Sequence, residues 1–254
     1  MEWAIFEYEN NFTTTTREVI NSVPCLKVRA KNSSGILPTI IYYHGWHSSK
    51  EFEKFQAMSM VSFGYQVIIP DALYHGERDP IDHDNPKNLE KYVWDIIFQS
   101  INESEKFISE IIEIHGADPT RIGVIGSSMG AITASGVLVK NKIVKCLIGL
   151  NGTFAWQEAI KRNHLPMSSV HQKSIEYFDP MNNMNQLIDR AISILHGIDD
   201  TSLSIETQRL FYNRILPQYY MSPEKIQLIE YSKIDHRITI GMLEAAITWF
   251  IKHL

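Results

Sequence analysis

A serine between glycines, an acid after a later apolar run and a histidine further on are the residues of this chain whose order could carry acyl transfer. The serine lies in "GVIGSSMG", residues 123–130, where an apolar run gives way to a helix-like one. A strand followed at once by G-x-S-x-G makes a sharp turn with the central serine exposed at its tip. Gly126 and Gly130 bracket Ser128, which selects Ser128 over Ser127. A serine hydroxyl is a weak nucleophile at neutral pH, so it requires a histidine base and an acid to fix that histidine's tautomer. "ISILHGIDDTS" supplies Asp199 and Asp200 just past an apolar run. "IEYSKIDHRIT" supplies His236 one run later; His253, the other histidine beyond the acid, sits one residue from the chain's end. His236 is therefore the expected base. The helix starting at Met129 would point its first N–H groups at a developing oxyanion. "IIYYHGWHSS" places Trp46 after another strand-like run, where its backbone N–H is the expected second donor. His44 in that stretch is expected to be structural, and the Trp46 side chain a pocket wall.

These residues need elements to hold them. "LPTIIYYHG", "YQVIIPDA", "RIGVIGSS", "VKCLIGLNG", "AISILHG" and "KIQLIEYS" are short apolar runs ending in glycine, aspartate or serine, as buried parallel strands do. Residues 50–63, about 89–115, 129–141, 204–216 and 239–253 carry helical apolar spacing. The βαβα alternation predicts a mostly parallel sheet with helices on both faces and a site at the strands' carboxyl ends. "EWAIFEYE" and "REVINSVPCLKVRAK" alternate like antiparallel strands at the N-terminal side. Residues 153–180 exceed an ordinary crossover and are expected to form a small lid insertion in an otherwise single domain over 1–254. Phe154, Trp156 and Phe178 within it could cover an acyl group, and Phe154 and Trp156 are further candidates for the substrate pocket. Tyr92 or Trp94 of the long helix could also reach the pocket.

Taken together, "HGW" at 44–46, "PDALYHGER" at 70–78, "GSSMG" at 126–130, "HGIDD" at 196–200 and "DHR" at 235–237 resemble the α/β-hydrolase superfamily. Within it the chain is similar to serine hydrolases of the prolyl-oligopeptidase and dienelactone-hydrolase-like branch, and especially to its bacterial small-esterase group. The resemblance implies the α/β-hydrolase fold and makes Asp200, four residues after His196, the acid. Dienelactone hydrolases proper carry a cysteine at the elbow, and this chain has Ser128. The implied activity is carboxylic ester hydrolysis on small or medium acyl groups through an acyl-enzyme. The same three residues could serve an amide or a thioester, and a non-catalytic binding scaffold is the remaining alternative.

Composition bounds the partners. With Lys+Arg 24 against Asp+Glu 29, the net charge of −5 leaves no basic footprint for nucleic acid or an anionic membrane. A small-molecule ester is the expected partner, with oligomeric state left open. No apolar run reaches 18 residues, no basic segment opens the chain, and a cytoplasmic protein is expected. Cys25 and Cys146 fall in strand-like segments and are read as reduced core residues. "YHGER" at 74–78 is chemically rich but lacks metal-ligand spacing, so it is read as a structural turn; neither metal nor cofactor is expected.

Overall fold

The computed structural model describes residues 11–254. Among the described residues, eight strands form one sheet in the order β1-β2-β4-β3-β5-β6-β7-β8: β1 Thr13–Ile20, β2 Val23–Ala30, β3 Leu37–Tyr43, β4 Gln66–Pro70, β5 Ala117–Ser127, β6 Val144–Leu150, β7 Ala191–Gly197 and β8 Ile226–Tyr231. β1 pairs antiparallel with β2, and β2 with β4; every other pairing is parallel. All six apolar runs are therefore strands, and the α/β-hydrolase architecture holds. The expected strand over "EWAIFEYE" lies outside the described residues. Within "REVINSVPCLKVRAK" the structure places a hairpin. Its turn residues Asn21 and Ser22 both have positive φ (46° and 64°), the backbone of a two-residue turn whose twist suits paired strands.

Helices cover both faces. On one, α1 Lys54–Val61 and α8 Ile240–His253 bury Ala57, Met60, Met242 and Phe250 against β2, β3, β4 and β6. On the other, α2 Pro86–Glu113, α3 Met129–Lys140 and α7 Ile205–Ile215 pack with Ile101, Val137 and Phe211 as anchors. α2 starts three residues before its periodicity does, because the Asn85 side chain accepts the Lys87 N–H and Pro86 occupies the first turn. α3 departs from the expected amphipathic pattern: every residue from Met129 to Val139 is buried, since the helix is enclosed by the sheet, α2 and the segment that follows β6.

That segment contains α4 Trp156–Lys161, α5 Gln172–Phe178, a single turn at Pro180–Asn182 and α6 Met184–Leu187. It docks on α2 and α3. Trp94 Nε1 donates to the Pro166 carbonyl at 2.8 Å, and Trp156 Nε1 to Ser135 Oγ at 3.2 Å. Phe154 and Trp156 are both 0% exposed, contrary to the expected pocket-wall role. The physical reason is the space they fill. The Phe154 ring lies under Gly149, where an added Cβ would come within 2.5 Å of it, and meets Phe211 edge-on; Trp156 packs beside Trp94 and Phe98. Trp94 is likewise core, while Tyr92 packs against Tyr74. Cys25 and Cys146 are buried and unbridged.

Candidate active site

The parallel strands end level with one another, which gathers their following loops at one edge. Tyr43 is in register with Gly126, Ser127 with Leu150, Leu150 with Leu195, and Gly197 with Tyr231. Ser128 follows β5, His44–Trp46 follow β3, Asn151 follows β6, Asp200 follows β7 and His236 follows β8.

Ser128 has φ 54° and ψ −119°, a strained backbone for a residue with a side chain, of the kind held only where the surroundings enforce it. The surroundings here are backbone. A Cβ on Gly126 would lie 2.1 Å from the Gly130 carbonyl oxygen, and one on Gly130 would lie 2.0 Å from that of Tyr43. Only hydrogen fits at either place, and the Ser128 N–H is anchored to the Leu150 carbonyl at 2.9 Å.

His236 bridges the serine and the acid. Its Nε2 lies 2.8 Å from Ser128 Oγ, and its Nδ1 lies 2.6 Å from Asp200 Oδ2. Asp200 Oδ1 accepts the backbone N–H groups of Ser202 and Leu203 at 2.9 and 3.0 Å. A second histidine, the fully buried His196, places Nε2 3.2 Å from Asp200 Oδ2 and 2.8 Å from the Leu203 carbonyl. Burial opposes ionisation of Asp200, but the bonds from His196, His236 and Leu203 outweigh it and hold the carboxyl far below the usual carboxylate range. Asp199 is exposed and only its backbone is engaged, donating to Ile234. His253 packs on Trp249, away from this chain of bonds.

The opposite wall is the loop after β3. A cleft of about 270 Å³ is lined by Gly45, Trp46, Ser127, Ser128, Asn151 and His236, together with His47, Ser48, Glu53 and Ile238. No residue of 153–180 lines it. An added Cβ at Gly45 would stand 3.4 Å from the Ser127 carbonyl and 3.6 Å from Ser128 Cβ, so this loop abuts the elbow. The Trp46 indole donates to the His83 carbonyl at 2.9 Å and packs near-perpendicular to the His75 and His83 rings. The first N–H groups of a helix have no intrahelical acceptor, and Met129 N–H stands at the head of α3 directly after Ser128.

Two cleft groups, Asn151 and Glu53, escaped the sequence reading. Asn151 ties three strand ends together: its N–H donates to Leu195 O, its Oδ1 accepts Gly197 N–H, and its Nδ2 donates to Arg237 O at 2.7 Å, next to His236. Its φ is 46°, a left-handed backbone that asparagine tolerates, and the "NG" pair is the one sequence signal of such a turn. Glu53, 5% exposed, accepts Ser48 Oγ at 2.8 Å, and burial raises its pKa. His44 engages both ring nitrogens. "YHGER" is structural: buried Asp71 pairs with Lys50 Nζ and accepts the Glu77 N–H at 2.9 Å. Gly76 leaves room for that carboxylate, as a Cβ there would meet it at 2.2 Å. No helix among the described residues is long and apolar enough to cross a membrane.

Comparison with known proteins gives this geometry a setting. The profile of the dienelactone hydrolase family matches residues 26–209. YitV of Bacillus subtilis (strain 168) is 28% identical over 251 residues, covering 93% of this chain and 98% of YitV. The esterase YjfP of Escherichia coli (strain K12) is 28% identical over 229 residues, covering 86% and 90%. The solved structure of TT1662 from Thermus thermophilus superposes with a TM-score of 0.80 at 16% identity, covering 94% of this chain and 97% of that one, a likeness of fold.

Proposed function

The chain belongs to the dienelactone hydrolase family, and we propose that within it the protein is a serine esterase acting on carboxylic esters of small or medium acyl groups. The observation that carries this reading is the unbroken hydrogen-bond chain from Ser128 Oγ through His236 to Asp200 at the edge of a cleft. Relatives named as esterases support the choice of bond.

Ser128 Oγ attacks the ester carbonyl carbon as His236 Nε2 takes its proton. Asp200, held ionised, keeps the His236 proton on Nδ1 and stabilises the imidazolium that forms. The carbonyl oxygen becomes an oxyanion received by the N–H groups of Met129 and Trp46. Collapse of the tetrahedral adduct breaks the bond to the alcohol oxygen, which leaves with the proton from His236. Water then enters, gives a proton to His236 Nε2 and attacks the acyl-serine, and the second adduct expels Ser128 Oγ, which recovers that proton. Acid and alcohol are the products. The cleft is small for a ligand site, which favours short acyl groups.

The test is Ser128→Ala. The variant is expected to fold as the wild type does, to lose p-nitrophenyl acetate and butyrate hydrolysis, and to resist a fluorophosphonate probe that labels the wild type. Comparable turnover by the two proteins would sink the proposal. Thioester and aminoacyl-anilide substrates run alongside decide the bond class.

A further inference from the structure

His44 takes no part in the proton transfers above, yet it stands one peptide unit behind a proposed oxyanion donor. It is 2% exposed at the end of β3. The Ala72 N–H reaches its Nε2 at 3.0 Å, and its Nδ1 lies 2.8 Å from the Gly45 carbonyl oxygen. A backbone N–H can only donate, so Nε2 is the acceptor. The ring is then neutral with its proton on Nδ1, and Nδ1–H donates to Gly45 O. Burial, reinforced by the neighbouring His75, pushes the His44 pKa down to about 4, which keeps this neutral form in place at ordinary pH.

The Gly45 carbonyl and the Trp46 N–H belong to one planar peptide unit. A hydrogen bond to the carbonyl end both fixes the orientation of that plane and polarises the N–H at its other end. The Gly45 carbonyl also accepts the Ser48 N–H, at 3.2 Å, so the shorter bond from His44 adds a side-chain restraint to one made by the loop itself. The next peptide is held as well, with His75 Nε2 2.8 Å from Trp46 O.

We infer that His44 is a positioning residue of the oxyanion hole, relaying Ala72 N–H through its ring and the Gly45 carbonyl to the Trp46 N–H. The inference rests on the proposed roles of Ser128 and Trp46. It adds that one face of the hole is set by a side-chain tautomer rather than by the loop backbone alone.

Two substitutions separate this relay from a merely structural histidine. His44→Asn keeps an amide N–H near the place of Nδ1 and loses the acceptor for Ala72. His44→Gln keeps an acceptor near the place of Nε2 and loses the donor to Gly45. Turnover of p-nitrophenyl butyrate is measured per site titrated with a fluorophosphonate, together with inhibition by a trifluoromethyl ketone, whose serine adduct is a tetrahedral anion. In His44→Gln, kcat is expected to fall at least about tenfold, part of the roughly 10²–10³ known for loss of a whole oxyanion donor. KM should stay within about twofold, Ki for the ketone should rise in step with the fall in kcat, and His44→Asn should recover most of the loss. Equal losses in the two variants, wild-type kcat in His44→Gln, or an unchanged Ki overturns the relay. A tautomer measurement on the wild-type chain by ¹⁵N NMR holds even if a variant misfolds: a protonated Nε2 on neutral His44 also overturns it. Ser128→Ala in the same assay keeps the two ideas apart, since turnover surviving there refutes the nucleophile, whereas its loss beside an unaffected His44→Gln refutes only the relay.

Discussion

Replacing Asp200 with asparagine tests the proposed mechanism most sharply, because the surrounding donors dictate how the new amide must sit. The Oδ1 position receives two backbone N–H groups, from Ser202 and Leu203. An asparagine that keeps its oxygen there turns its NH₂ toward His236 Nδ1. Nδ1 must then accept, the His236 proton moves to Nε2, and Nε2–H faces Ser128 Oγ as a donor unable to take the serine's proton. Flipping the amide restores the tautomer but sets NH₂ against the buried Leu203 N–H, at roughly 1–3 kcal/mol, and against the more exposed Ser202 N–H at a smaller cost. That penalty of about 1–3 kcal/mol from Leu203 alone leaves the productive form populated at roughly one part in 5 to one in 150. The lost carboxylate charge beside the imidazolium adds to it. The expected fall in kcat is about 10³–10⁴, the range known for tautomer-breaking changes of this kind. His196 sharpens the effect, since its Nε2–H also points at the position the NH₂ would take, so Tm should drop as well. The assay is kcat for p-nitrophenyl butyrate against Asp199→Asn, whose exposed side chain should leave kcat within about twofold of wild type. A loss below tenfold in Asp200→Asn, or a larger loss in Asp199→Asn, refutes the assignment.

Trp156→Ala should destabilise the fold by about 3–5 kcal/mol in urea denaturation, as expected for a core indole, with KM for butyrate esters within about twofold; a selective change in acyl-chain preference would return the residue to the pocket. Gly126→Ala should cost about 3 kcal/mol or more, because its Cβ has no space against Gly130, and unaltered stability would contradict the elbow geometry. Burial raises the Glu53 pKa, so the folded state holds that proton more tightly than the unfolded one. Its contribution to stability is therefore fully present below the unfolded value of 4.5 and is lost as pH rises through the folded value. The Tm of Glu53→Gln relative to wild type is expected to climb from pH 4 to pH 8, and a flat difference would show that Glu53 ionises without cost.

The sequence disclosed what is enforced locally or by chain order. A Cβ on Gly126 or Gly130 would lie about 2 Å from backbone atoms, so the elbow announces itself in five consecutive residues, and the chain order serine, acid, histidine, with the last two after later strands, singles out His236. The acid needed a resemblance to choose between Asp199 and Asp200, and the structural reason is simple: Asp200, three residues past β7, turns inward to accept Leu203 N–H, and Asp199 turns to solvent. The cleft wall was not readable in the same way. An aromatic residue shortly after a strand can face the cleft or the helical layer, and nothing local distinguishes them. The choice for Phe154 and Trp156 is made by packing partners far along the chain, Phe211 against one and Trp94 beside the other. Asn151, Glu53 and His44 were hidden for a related reason. Each looks like an ordinary turn, helix-start or loop residue, and its contacts with other parts of the fold, Arg237 O for Asn151, the cleft for Glu53 and Ala72 N–H for His44, are not visible locally. The residues proposed to react are thus encoded by short motifs, whereas the groups that hold them in place and shape the cleft are encoded by the sheet register that levels the strand ends. Substitutions at the second set should accordingly alter kcat and specificity by smaller, graded amounts than those at Ser128, His236 or Asp200.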